Sequence, residues 1–251
     1  MLWVQPETTL TPADSWIPRD HFIPQLGVQT SMSDDGTHVL RLDLGERVAD
    51  VGLVALLADM AGGHTILTAR EPCHVATTHL EVHGIGNLVG PGEIVATSRL
   101  LGSSKRRGVI ETLFQLGDGH ALSHSTFAVR DGDLLAAAMP TRPRVAPSMT
   151  PLWQTIGVVQ TDAGATLELG PHVGNHTGAL QGGATIALAE AAALLQLTDG
   201  EQLDAVSIHY LHTVRGHVAT ATARRHGSAI TVDICADAAT KELARLTFSL
   251  R

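Results

Sequence analysis

LADMAGG at residues 57–63 and LAEAAA at residues 188–193 decide the fold. Each sits at the end of an apolar helical stretch and carries one acid, Asp59 or Glu190. Further on, Ser125-Thr126-Phe127-Ala128-Val129-Arg130 matches Leu246-Thr247-Phe248-Ser249-Leu250-Arg251. Upstream, Gly36 to Leu42 parallels Gly164 to Leu169, both alternating strands that lead into the helix. Self-similarity at a fixed distance marks a duplicated unit. The acids stand 131 residues apart and the Thr-Phe pairs 121, so the first copy holds ten extra residues between helix and last strand. Loops such as Gly84–Gly92 and Gly102–Arg107 are the natural places for them.

Each copy then reads as a lead-in, a strand, one long apolar helix and three or four strands. Period-two alternation is plain in Gly92–Leu100, His217–Arg224 and Ile230–Ala236. The most apolar stretch, Gly178–Leu197, is long enough to span a membrane but holds Gln181, Glu190 and Gln196. A mid-helix carboxylate is expensive in lipid, so the stretch reads as a buried helix and no membrane partner is expected. Four prolines (140, 143, 147 and 151) mark residues 139–151 as a linker. Prolines at 6, 12, 18 and 24 suggest an extended arm over residues 1–24, leaving one unit at 25–138 and a second at 152–251. One long helix against an antiparallel sheet is an α+β layer arrangement. Two such units hide their sheet edges by pairing edge to edge, which builds an intramolecular pseudo-dimer.

Composition narrows the function. Across 251 residues, apolar residues make up 44%, charged residues 17% and aromatics 3%, with a net charge of -8. That excludes a disordered chain and argues against nucleic acid, which needs a basic face and stacking aromatics. The N-terminal stretch has acids and prolines where a signal peptide needs a basic start and an apolar run. Two cysteines, Cys73 and Cys235, cannot build a metal quartet or a disulfide framework, and a reducing, cytoplasmic setting is expected.

The second helix is approached through Asn175-His-Thr-Gly178-Ala-Leu-Gln181-Gly182-Gly183 and runs on to Glu190. Here the chain resembles the hotdog-fold acyl-CoA thioesterases, in particular the phenylacetyl-CoA and 4-hydroxybenzoyl-CoA thioesterase clades. Asn175, Gly182, Gly183 and Glu190 match that family's Asn…Gly-Gly…Leu-Ala-acid pattern, and Asp59 matches its Leu-Ala-Asp form. Over both copies the resemblance implies two tandem hotdog domains, each an antiparallel sheet wrapped on one central helix. Three departures stand out. Gln181 occupies a position usually held by His, the first copy's approach (Arg47-Val-Ala-Asp50-Val51-Gly52) lacks the Asn and one Gly, and Gly63 and Leu194 stand where some relatives carry a hydroxyl.

The residue types suit thioester chemistry. A Gly-Gly step opening a helix offers free N–H groups and the dipole to a developing negative charge, and lets a carbonyl approach the backbone. A carboxylate can activate water as general base or attack the thioester itself. Asn175 would position the water or the acid, and Gln181 would cap the helix or join the site. Gly183 and Glu190 lie seven residues apart, so about 10 Å of helix axis separates them and one thioester carbon cannot touch both. With antiparallel helices, Asp59 instead faces Gly182 and Gly183, and Glu190 faces Val51 and Gly52. The expected complete site is therefore Asp59 with Asn175, Gln181, Gly182 and Gly183, Glu190 forming the degenerate second one.

Blander roles compete. A Gly-Gly step can merely allow tight helix packing, an acid in an apolar helix can be a satisfied core carboxylate, and Asn before a helix is a common cap. The basic clusters Lys105-Arg106-Arg107 and Arg224-Arg225 fit solvated hairpins or the phosphates of a CoA nucleotide. Fourteen histidines come with no HExxH and no matching Cys or Asp cluster, so no metal is expected. The expectation is hydrolysis of an acyl-CoA thioester, CoA being part of the substrate and no other cofactor being needed. The resemblance also implies association of pseudo-dimers into a homo-oligomer. The rivals are a non-catalytic acyl-CoA-binding or structural protein and a hotdog enoyl-CoA hydratase or dehydratase.

Overall fold

The computed structural model describes residues 21–251 except 34, 46, 71–72, 132–149, 176–177 and 238–241. The expected N-terminal arm and proline-rich linker lie almost entirely outside the described residues. A short helix α1 (Phe22–Leu26) leads into β1 (Gln29–Met32), β2 (His38–Asp43), the long helix α2 (Val51–Ala69) and β3 (Cys73–His83). The meander β4 (Glu93–Ser104), β5 (Arg107–Leu116) and β6 (Gly119–Asp131) follows. The second half repeats this order with α3 (Leu152–Thr155), β7 (Val159–Thr161), β8 (Gly164–Glu168), α4 (Gly182–Leu194), β9 (Leu203–Tyr210), β10 (Val218–His226), β11 (Ala229–Ala236) and β12 (Ala244–Leu250).

All twelve strands form one antiparallel sheet in the order β1-β2-β4-β5-β6-β3-β9-β12-β11-β10-β8-β7. The strand order of the second half is that of the first read backwards. The seam is β3 against β9, with Leu80 opposite Ile208 and Val82 opposite Val206. These four side chains are fully buried, so the core runs unbroken beneath the seam.

Both long helices are apolar on every side, which suits a helix enclosed by protein. By length and composition α2 could also cross a membrane, but most of it is buried here, against the sheet and α4. The two helices meet at glycines. A Cβ on Gly52 would stand 3.0 Å from the Cα of Ala187, and one on Gly183 would stand 2.9 Å from the Cα of Leu56. Only glycine permits so close a backbone approach at either crossing point.

Two expectations need correcting. The helix within Gly178–Leu197 spans only Gly182–Leu194, because Gly178 adopts a left-handed φ of 73° in a turn closed by the Gly178 N–H on the Asn175 carbonyl. Gly102–Arg107 is not a loop. A register shift between Leu100 and Gly102 lets β4 continue to Ser104, so the first copy's extra residues there lengthen a hairpin whose tip is Lys105-Arg106.

Candidate active site

Helix α4 is opened by Gln181, whose Oε1 accepts the Ala184 N–H at 3.0 Å. The N–H groups of Gly182 and Gly183, one turn short of any intrahelical partner, meet no acceptor among the described residues. Over this helix end stands the carboxylate of Asp59, carried by α2 of the other half. Its Oδ2 accepts a 3.1 Å hydrogen bond from Gln181 Nε2, and its Oδ1 accepts one from the Thr77 hydroxyl. A Cβ on Gly182 would lie 2.7 Å from Asp59 Oδ2 and 3.0 Å from the hydroxyl of Tyr210. The missing side chain is thus what admits the carboxylate and the phenol. Burial pushes the Asp59 pKa up from 3.8 to about 6, against a smaller lowering by the Thr77 hydrogen bond.

Asp59, Gln181 and Gly182 line a cavity of about 900 Å³, walled by strands β3 and β6 and by the chain near Asn175 and Val214. Val75, Phe127, Val129 and Leu180 make much of the wall apolar. Asn175 borders the cavity, and its Oδ1 accepts the Ala179 N–H at 3.2 Å, closing the turn that precedes Gln181. Gly183 does not line the cavity. Its Cα faces Leu56 of α2, so its lack of a side chain serves the helix crossing, while its N–H remains on the helix end.

The corresponding place in the other half is sealed. Glu190 is 3% exposed, and its two oxygens accept the N–H groups of Val51 at 2.9 Å and Gly52 at 3.0 Å. Asp50 beside it caps α2 through the Leu53 N–H at 2.7 Å and takes the Leu152 N–H at 2.9 Å. Arg47, 3% exposed, lies 3.8 Å from Asp50. Burial and the charge of Asp50 push the Glu190 pKa well above the usual carboxylate range. The Asp59 cavity does not reach this carboxylate. Glu190 therefore acts here as an internal cap, and the structure does not bring it to the Asp59 cavity.

The basic clusters also part company. Lys105, Arg106 and Arg107 line a basin of about 640 Å³ that shares Thr78, Ala128, Val129, Arg130 and Asp131 with the Asp59 cavity. Arg225 instead forks onto Glu201 at 2.5 and 2.6 Å, and Arg224 pairs with Asp233 at 3.4 Å. Neither borders the cavity, which corrects their placement with the first cluster: acids on neighbouring elements already hold them. Among the described residues, no group of three or more His, Cys, Asp or Glu side chains is arranged to hold a metal ion.

No protein-family model and no curated sequence matches the chain. Solved structures do. An acyl-ACP thioesterase from Bacteroides thetaiotaomicron superposes with a TM-score of 0.56 at 10% identity, over 88% of this chain and 100% of that one. The 12:0-ACP thioesterase from Umbellularia californica gives 0.55 at 11% identity, over 85% and 97%. A conserved protein of unknown function with a hot dog fold, from Alicyclobacillus acidocaldarius, gives 0.54 at 10% identity, over 90% and 96%.

The fold is a hotdog fold.

Two residues of this hotdog site have no signal in the sequence motif. Thr77 reaches Asp59 because β3 carries a bulge between Thr77 and His79. Leu80 and Val82 point inward after the bulge, and the extra residue reverses the parity, so Thr77 points inward as well. Tyr210, at the end of β9, is the chain's single tyrosine, and its hydroxyl donates to the Gly182 carbonyl at 3.0 Å. Its uniqueness in a chain poor in aromatics was the one available hint.

Proposed function

We propose that the protein is a tandem hotdog hydrolase that cleaves an acyl thioester of coenzyme A in the cavity between its two halves. One observation carries the reading: a carboxylate from α2, with a pKa of about 6, stands over the glycine-opened N-terminus of α4 inside a large, mostly apolar cavity. A base poised near neutral pH can take a proton from water while remaining largely ionised at pH 7 and above. The N–H groups of Gly182 and Gly183, with no acceptor of their own among the described residues, receive the thioester oxygen as it gains charge. Glu190 supports the directionality: at the equivalent helix end its carboxylate already occupies the Val51 and Gly52 N–H groups. An accepting oxygen is therefore what such an end binds in this protein.

Asp59 then activates the attacking water, Gln181 fixes its Oδ2, and Thr77 its Oδ1. Asn175 shapes the wall beside them. The acyl group lies along Val75, Phe127 and Val129, and the thiol leaves towards the basin where Lys105, Arg106, Arg107 and Arg130 meet the nucleotide phosphates. Two hotdog units joined at β3–β9 supply acid and helix end from different halves, as a dimer would.

Free-thiol release from a panel of acyl-CoAs, with wild type, Asp59→Ala and Glu190→Ala side by side, tests this. Turnover lost with Asp59→Ala and kept per folded molecule with Glu190→Ala supports it. Tight acyl-CoA binding without thiol release from a folded wild type would replace it with a binding module.

A further inference from the structure

The two helix ends differ in one more respect than their acids. Strand pairing makes the comparison exact in register: Leu80 pairs with Ser125, and Ile208 with Leu246, the residues that head the repeated Thr-Phe motif. Leu80 and Ile208 are thus equivalent, and so are Val82 and Tyr210, two residues on. In the sealed half that position holds a fully buried valine, with no group to offer the start of α2. In the open half it holds a phenol that donates to the carbonyl of Gly182 at 3.0 Å.

That carbonyl belongs to the peptide unit whose N–H is that of Gly183. The sealed half shows where such an N–H is directed: its counterpart on Gly52 meets a carboxylate oxygen at 3.0 Å. In the sealed half the acid itself pins the first helical turn. In the open half no acid does so, and two successive glycines leave that turn with the widest choice of backbone angles. A donor on the Gly182 oxygen restricts the unit, and by polarising the peptide it strengthens the N–H at the other end.

We infer that Tyr210 is a positioning residue, which holds the Gly182–Gly183 peptide so that the Gly183 N–H is aimed at the thioester oxygen. The inference rests on the hydrolytic reading above and adds to it a residue outside the helix and its approach. The phenol suits the task across the working pH range, since burial and the nearby Asp59 charge both keep its proton on. Tyr210 acts through the peptide rather than on the reacting atoms, so it belongs to turnover and not to affinity.

Because the chain has one tyrosine, biosynthetic replacement of tyrosine by 3-fluoro- or 3,5-difluorotyrosine alters Tyr210 alone. Tyr210→Phe should lower kcat for acyl-CoA hydrolysis about 10- to 100-fold, short of the loss of a whole oxyanion donor. KM should stay within about two-fold. The fluorinated tyrosines, which are stronger donors, should keep or raise kcat. The 15N-labelled Gly183 amide should shift in Tyr210→Phe while resonances beyond the first turn of α4 stay in place. An unchanged kcat, a raised KM at constant kcat, or an unmoved Gly183 amide would overturn the inference. Were the wild type to hydrolyse no thioester, the hydrolytic reading would fail, and the Gly183 resonance would still decide whether Tyr210 sets that peptide.

Discussion

Asp59 of α2 accepts a 3.1 Å hydrogen bond from Gln181, the residue that caps α4, so one side chain ties this carboxylate to the helix end it faces. Capping uses Oε1 of the amide and the acid uses Nε2, which leaves Gln181 little freedom. Both partners come from different halves of the chain, and the site exists only where those halves meet.

The pH dependence of activity and stability should run in opposite directions. Activity requires ionised Asp59, so kcat/KM should rise through about pH 6 and then level off. For stability, the folded chain holds the Asp59 proton up to about pH 6 while an unfolded one releases it near 3.8, so stability falls as pH rises through that window. Asp59→Asn should accordingly abolish turnover and raise stability above pH 6 by up to about 3 kcal/mol. Thr77→Val removes the hydrogen bond that lowers the Asp59 pKa and should move the acid limb of the rate profile to higher pH. Rate profiles and urea melts at pH 5 and pH 8 check all three.

Glu190 should matter for folding and not for turnover. Alanine there leaves two buried N–H groups at the start of α2 without an acceptor, at a cost of about 3 kcal/mol. Glutamine keeps one acceptor and replaces a carboxyl whose pKa is already pushed upward, so it should cost about 1 kcal/mol. Equilibrium unfolding with activity normalised to folded protein separates this outcome from a catalytic role.

The adjacent glycines should separate cleanly. A methyl on Gly183 meets Leu56 Cβ at 2.6 Å and its Cα at 2.9 Å, so Gly183→Ala must push the helices apart and should destabilise by about 2–3 kcal/mol. The atoms nearest a methyl on Gly182 are the ends of the Asp59 and Tyr210 side chains rather than backbone, and side-chain ends can give way. Gly182→Ala should therefore melt near wild type, within about 1 kcal/mol, and lose most of its activity. Thermal melts and thiol release on the two variants give the answer.

The cationic hairpin tip should act on substrate affinity. Replacing Lys105, Arg106 and Arg107 together by alanine should raise KM for acyl-CoA about ten-fold, the worth of about 1.4 kcal/mol. KM for the corresponding acyl-pantetheine, which lacks the nucleotide, should not move. Arg224→Ala with Arg225→Ala should leave both values unchanged, because acids of its own half hold each guanidinium. Steady-state kinetics on the paired substrates checks this.

Much of the architecture is legible in the sequence. The Thr-Phe repeat and the two helix acids are local patterns, and period-two alternation in stretches such as Ile230–Ala236 follows from a half-buried sheet. Less was legible at Gly102–Arg107, where a bulge, invisible in composition, turns an apparent loop into strand. Thr77 was hidden for the same reason, since one extra residue in β3 changes which face a side chain takes.

The amino-acid sequence by itself determined that an apolar helix carrying one acid and a Thr-Phe motif each occur twice, and that acid and glycine step on one helix cannot share a substrate, because seven residues of helix fix their separation. It determined too that the Asn-bearing approach belongs to the second copy alone. Only the tertiary structure decided that Gly182 clears space for Asp59 while Gly183 lets the helices touch, that Glu190 closes its own half, and that Lys105 to Arg107, not Arg224 and Arg225, adjoin the cavity. Such outcomes depend on strand register and on the distance between two helix axes. Both are set by contacts between residues more than a hundred positions apart, and no local pattern encodes them.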